Sequence, residues 1–121
     1  MLGNYGFKLG VWDAAKSEAR RVLVETARAK ELITCAALVE RIRTIELTPD
    51  DPRLTRLLFE LGTEEAQEGR PLLPALVVDV LGEIEPRLEF VLLAEKHGRD
   101  LANPAAAWRR ELDQVYCEYL L

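Results

Sequence analysis

One stretch limits what this chain can fold into: Gly69-Arg70-Pro71-Leu72-Leu73-Pro74-Ala75-Leu76-Val77-Val78-Asp79-Val80. It is the one long β-like run, and helical patterns lie on both sides of it. Leu72 to Val80 is almost continuously apolar, the pattern of a strand buried on both faces. Pro71 and Pro74 donate nothing to a ladder. The first half is therefore expected at a sheet edge or as the lead-in to the strand.

The flanking segments carry helix signals of unequal strength. Residues 1–12 hold Gly3, Gly6 and Gly10, while Tyr5, Phe7, Leu9 and Val11 alternate with small or polar residues. That period of two predicts an edge strand or an arm, packed on its own domain or on a second subunit. Asp13 is placed to cap a helix from Ala14 to about Lys30, with Ala15, Ala19, Val22, Thr26 and Ala29 as its inward stripe, widened by Leu23. Leu32-Ile33 is a brief extended step. Thr34 then caps a second helix through Cys35, Leu38 and Ile42.

Asp51-Pro52 pairs a capping carboxylate with proline at the first helical position. Leu54, Leu57, Leu58 and Leu61 form the inward stripe of that helix, and Gly62 is expected to end it. Phe59 then points outward and marks a contact surface. Thr63 to Glu68 reads as a separate short capped turn, and Gly82 to Pro86 as a turn or hairpin. Leu88 to His97 reads as a helix apolar almost all round, closed by Gly98, with His97 serving its dipole. Asn103-Pro104 repeats the cap-plus-proline start, ahead of a helix with Trp108, Leu112, Val115 and Tyr119 on one face.

The sum is a single mostly helical α+β domain over residues 1–121, with about five helices and a small sheet. The chain is long enough for a real core. It has no apolar run of the ~20 residues a membrane span needs, and its start lacks a signal-peptide pattern. Cys35 and Cys117 sit among apolar neighbours in helical segments, so both are expected as free buried thiols in a reducing cytoplasm.

Charge and motif content narrow the function. The net charge is −5, and it is uneven: residues 1–58 carry ten Lys/Arg against eight Asp/Glu, and residues 59–121 carry six against thirteen. An acidic chain is a poor generic binder of polyanions, so any nucleic-acid contact must use the first half. His97 is the only histidine, and no Cys or His partner lies at metal-ligand spacing. No GxSxG, P-loop, GxGxxG or HExxH motif occurs. Glu83 and Glu85 share a turn with no matched base. No catalytic residue, cofactor or metal site is therefore assigned, and the chain is expected not to be an enzyme.

The order helix, brief strand, helix, helix, strand resembles a winged-helix domain, with residues 51–61 as recognition helix. Leu32-Ile33-Thr34-Cys35-Ala36-Ala37-Leu38 resembles the "V-T-Y-x-x-L-A" stretch of alkyltransferase-like DNA-repair proteins. Leu73-Pro74-Ala75-Leu76-Val77-Val78 lies where those proteins carry "P-C-H-R-V". Ala75 stands at the position of the acceptor cysteine and Leu76 at that of the histidine, so the resemblance does not extend to alkyl transfer. Residues 69–78 and the C-terminal aromatic helix are also similar to small uncharacterised bacterial proteins reading "GRPLLSALVV". That likeness covers residues 30–119 and implies no activity.

Two functions follow. The first is a protein-interaction or assembly module, expected to be homodimeric, using Tyr5, Phe7, Phe59, Tyr119 and Leu121. The alternative is a duplex-DNA-binding winged helix using Arg41, Arg43, Arg53 and Arg56. It is opposed by Glu60 on the reading face and by few residues suited to reading bases. The two part on electrostatics: acids set among those arginines would disable the DNA reading.

Overall fold

The computed structural model describes residues 9–82 and 85–120. Five α-helices and one short parallel strand pair surround a buried central segment. In chain order these are α1 (Leu9–Arg28), β1 (Ile33–Thr34), α2 (Cys35–Arg41), α3 (Pro52–Gln67), a 3-10 turn (Leu73–Leu76), β2 (Val77–Val78), α4 (Leu88–Lys96) and α5 (Pro104–Glu118). The mostly helical α+β class is as the sequence implies.

The segment from Leu72 to Val78 is the hub, and every residue in it is buried. Its extension is shorter than the apolar run implies. Only Val77 and Val78 are strand, paired parallel with Ile33 and Thr34. Pro74 sits in the first turn of the 3-10 stretch, where its missing N–H costs nothing. The expected lead-in is thus coiled rather than extended. Such a segment cannot bond its own backbone fully, and α5 completes it. The Trp108 indole N–H donates to the Ala75 carbonyl at 2.8 Å, and the Leu72 N–H donates to Glu111 Oε2 at 2.7 Å. Buried backbone groups without such partners would each cost about 1–3 kcal/mol.

The helices α1, α3 and α5 all pack on this turn. Leu23, Leu38, Leu54, Leu57, Leu58, Leu61, Leu73 and Leu76 are among the fully buried side chains of the larger core. Leu72, Ala75, Val78, Phe90, Leu93, Ala94 and Trp108 make a second cluster under α4.

Local capping follows the sequence closely. Thr34 Oγ1 accepts from Ala37 N at 3.1 Å, Asp51 Oδ1 from Arg53 N at 2.9 Å, and Asn103 Oδ1 from Ala106 N at 3.1 Å. Four expectations are corrected. Residues 9–12 are the first turn of α1, not an arm or strand; Trp12 extends the inward stripe back from Ala15 and is buried. Asp13 therefore lies inside the helix and caps nothing. Gly62 does not stop α3, which runs on through residues 63–67. Finally, α4 is not buried all round: Leu88 and Leu92 are 67% and 43% exposed. Residues 1–8 of the expected arm fall outside the described residues, as do residues 83–84 of the expected hairpin.

Gly62 serves packing instead. A Cβ there would lie 2.5 Å from Leu93 Cδ1, so α3 and α4 approach more closely than any larger side chain permits. His97 caps α4. Burial, with Lys96 and Arg99 nearby, pushes its imidazole below the usual value of 6.5. It is therefore neutral at pH 7, and the cation at this helix end is Lys96.

Candidate functional site

Three of the four arginines assigned to nucleic acid stand beside carboxylates. Arg41 Nη2 lies 2.6 Å from Glu25 Oε2 on α1. Arg53 folds back on its own cap, Nη2 to Asp51 Oδ2 at 2.7 Å, and Arg56 meets Glu60 one turn on at 3.6 Å. Arg43 is held through its backbone, whose N–H donates to Glu18 Oε2 at 3.2 Å. Thr44 donates its N–H and its hydroxyl to the same carboxylate. Hydrogen bonding from the Thr44 hydroxyl, against a small cost of burial, draws the Glu18 carboxyl below its usual range. Arg43 and Arg53 share a shallow depression with the acids Glu40, Glu46 and Asp51.

Arg56 lines a groove of about 530 Å³ between α3 and α4, with Pro52, Thr55, Phe59, Leu92, Glu95 and Lys96. The groove exists because the helix wheel of α3 commits Leu54, Leu57, Leu58 and Leu61 to the core, which leaves Thr55 and Phe59 on the flank towards α4. Phe59 is half-buried, packed on the second cluster. The Lys96 ammonium stands 5.1 Å from its ring centroid and 3.3 Å from the Thr63 hydroxyl. A cation over an aromatic face contributes roughly 0.5–1 kcal/mol at an exposed site. The floor is apolar and the rim charged. Among the described residues, Val80, Leu81, Leu88 and Leu92 are exposed large apolar side chains. Such a surface can hold apolar side chains of another molecule.

Of the five residues assigned to a protein interface, Phe59 lies in this groove. Tyr119 does not. Its hydroxyl donates to Glu65 Oε1 at 3.4 Å and accepts from Arg20 Nη2 at 3.2 Å, inside a polar cluster of the chain itself. Burial and the neighbouring Glu65 raise its phenol above 10.0. Tyr5, Phe7 and Leu121 lie outside the described residues.

Sequence reasoning missed three buried carboxylates. Glu65 is gripped by Arg20 at 2.8 Å and Arg70 at 2.5 Å. Glu89 meets Arg87 at 2.5 Å, and Glu111 meets Arg99 at 3.0 Å. The signal was present: Glu65 lies four residues after Leu61, and Glu111 four before Val115, both on inward stripes. A guanidinium holds each of the three, and Glu65 and Glu111 also accept from the Tyr119 hydroxyl and the Leu72 N–H, so these carboxylates tie separate parts of the fold together.

Arg87 also reaches across to Asp79 and, at 2.7 Å, to the Cys35 sulfur. Burial nevertheless pushes the Cys35 thiol up to about 11, against the pull of Arg87. It is protonated at neutral pH and a poor nucleophile. Cys117 departs from expectation: it is exposed. Among the described residues no group of three or more His, Cys, Asp or Glu is placed to hold a metal, and no helix is long and apolar enough to cross a membrane. Comparison with protein-family models, curated proteins and solved structures finds no match to any of the three.

Proposed function

We propose that this chain is a non-catalytic protein-interaction module whose contact surface is the groove between α3 and α4. The observation that carries the reading is the apolar floor of half-buried Phe59 and exposed Leu92 under the charged rim of Arg56, Glu95 and Lys96. Aromatic and aliphatic side chains set in a groove and ringed by charge are the usual anchors of protein contacts. The two unpaired cysteines fit a reducing cytoplasm.

Duplex-DNA binding by a winged-helix arrangement of α2 and α3 is the alternative. It is supported by the brief strand ahead of α2 and by arginines near α3. It is opposed by the carboxylates of Glu25, Asp51 and Glu60 beside three of those arginines. Phosphate binding needs several cations released from such pairs.

The test has two arms. A photo-crosslinking residue placed at Leu92 should capture protein in cells, whereas the same residue at Arg109, exposed on α5, should not. A labelled duplex titrated at low and moderate salt should show no saturable binding. Tight, salt-sensitive binding that is lost in an Arg53→Glu, Arg56→Glu double variant would overturn the reading.

A further inference from the structure

The chain turns sharply where His97 closes α4. The Gly98 N–H donates to the Glu95 carbonyl at 3.3 Å and the Arg99 N–H to the Ala94 carbonyl at 2.8 Å, with Gly98 at a φ of +74°. That pair of bonds about a left-handed glycine is the Schellman turn. It delivers Arg99 to α5. Arg99 Nε and Nη2 donate to the two oxygens of Glu111 at 3.0 and 3.1 Å, and Nη1 donates back to the His97 carbonyl at 3.1 Å. Glu111 in turn accepts from the Leu72 N–H of the hub at 2.7 Å. The turn at residues 97–99 therefore heads a continuous chain of hydrogen bonds into the centre of the fold.

The His97 ring is not part of that chain. Its Nε2 is buried without a hydrogen-bond partner, alone in this among the buried side-chain nitrogens and oxygens of the described residues. The charges that bear on the ring are Lys96 on its own helix and Arg99 beyond the turn, both cations. The acids of neighbouring segments are engaged elsewhere. Glu111 of α5 holds Arg99 and the Leu72 N–H, Glu65 of α3 holds Arg20 and Arg70, and Asp100 accepts from the Ala102 N–H. Glu95 lines the groove. The α4 dipole favours a cation at this end, but Lys96 already supplies one. A further positive charge on a ring with a buried, unpartnered nitrogen and two cations beside it is disfavoured. The ring keeps its seat only while it is neutral.

We propose that His97 is an acid-sensitive latch: on taking up a proton the ring leaves its seat, the turn at residues 97–99 opens, and Arg99 is released from Glu111. The result is a loosening between α4 and α5 that does not depend on what fills the groove. Burial, with Lys96 and Arg99 beside it, holds the folded imidazole below 6.5, so the unfolded chain takes up the proton first as pH falls. The stability that neutral His97 contributes is therefore fully present above 6.5 and is lost as pH falls through the folded value.

His97 is the only histidine of the chain, so the imidazole signals in an NMR titration report it alone. Their midpoint should lie below 6.5. The amide signals of Gly98 and Arg99 should move with the same midpoint, and the Arg99 N–H should lose hydrogen-exchange protection on its acid side. Between about pH 7.5 and about pH 5, the unfolding equilibrium constant should rise about tenfold for each unit by which that midpoint falls below 6.5. His97→Gln, which cannot titrate, should lose that part of the pH dependence in urea denaturation. A midpoint at or above 6.5, a titration that leaves Gly98 and Arg99 unmoved, or a His97→Gln variant with the wild-type pH slope would each overturn the latch. The titration is read on the wild-type chain and needs no variant to fold.

Discussion

Gly62 sets the distance between α3 and α4, and its substitution separates two opposing effects. Alanine gains about 1 kcal/mol in intrinsic helix preference. It also forces a methyl group to within 2.5 Å of the buried Leu93 Cδ1, an overpacking that costs about 1–3 kcal/mol. Gly62→Ala should therefore destabilise by roughly 1 kcal/mol in urea denaturation. A second change, Leu93→Val, should relieve part of the clash, so the pair should be less than additive. A glycine at the end of a leucine stripe looks the same in sequence whether it stops a helix or admits a neighbour, which is why its role was not legible there. The cysteines differ at the same scale. Cys117 should be alkylated rapidly at neutral pH, and Cys35, with its thiol pushed up to about 11, only when the chain unfolds. Mass spectrometry of the modified chain with and without urea reads both.

At the scale of elements, what is local was legible and what is tertiary was not. The starts of α2, α3 and α5 rest on Thr34, Asp51 and Asn103, each bonded to an N–H two or three residues on. Those contacts lie within one turn, so the sequence contains both partners. The start of α1 was misread because glycines at 6 and 10 and a period of two outweighed the single stripe residue Trp12. Asp51→Ala should cost about 1 kcal/mol. The side chain and backbone N–H of Arg53 hold the Asp51 carboxyl below its usual 3.8. A carboxylate depressed on folding contributes stability that is fully present above the unfolded value and is lost as pH falls through the folded one. Urea midpoints of wild type and Asp51→Ala should thus differ at neutral pH and converge as acid protonates the Asp51 carboxylate of the folded chain, below its usual 3.8. A constant gap would show that the carboxylate charge is not what caps α3. The groove follows from the same accounting of faces: once four leucines of α3 turn inward, Phe59 must lie on its flank, and that much was readable. That Leu92 would join it was not, because an all-apolar helix gives no hint of which side meets water.

For the whole molecule the deciding feature is how the hub is held. Glu111 joins α5 to the hub through the Leu72 N–H and to the segment after α4 through Arg99. Glu111→Leu would leave that N–H buried without a partner and should destabilise by about 2–3 kcal/mol. Arg99 is partly exposed and can turn to water, which keeps the cost below that of a fully buried pair. Hydrogen exchange at Leu72 should rise towards the global unfolding rate in that variant; unchanged protection there would show the bond to be dispensable. The pattern of inward leucines announced a helical domain with a buried central segment, but not that carboxylates on the same stripes would tie it in. The hub is covered by α1 from one side of the sequence and by α5 from the other. During synthesis α1 to α3 leave the ribosome able to cover their leucines only against one another, and the rest of that cover waits for residues 72–78 and then α5. A product lacking α5 would leave the Ala75 carbonyl and the Leu72 N–H without their partners, and is expected to be a substrate for chaperones and proteases rather than a smaller working protein.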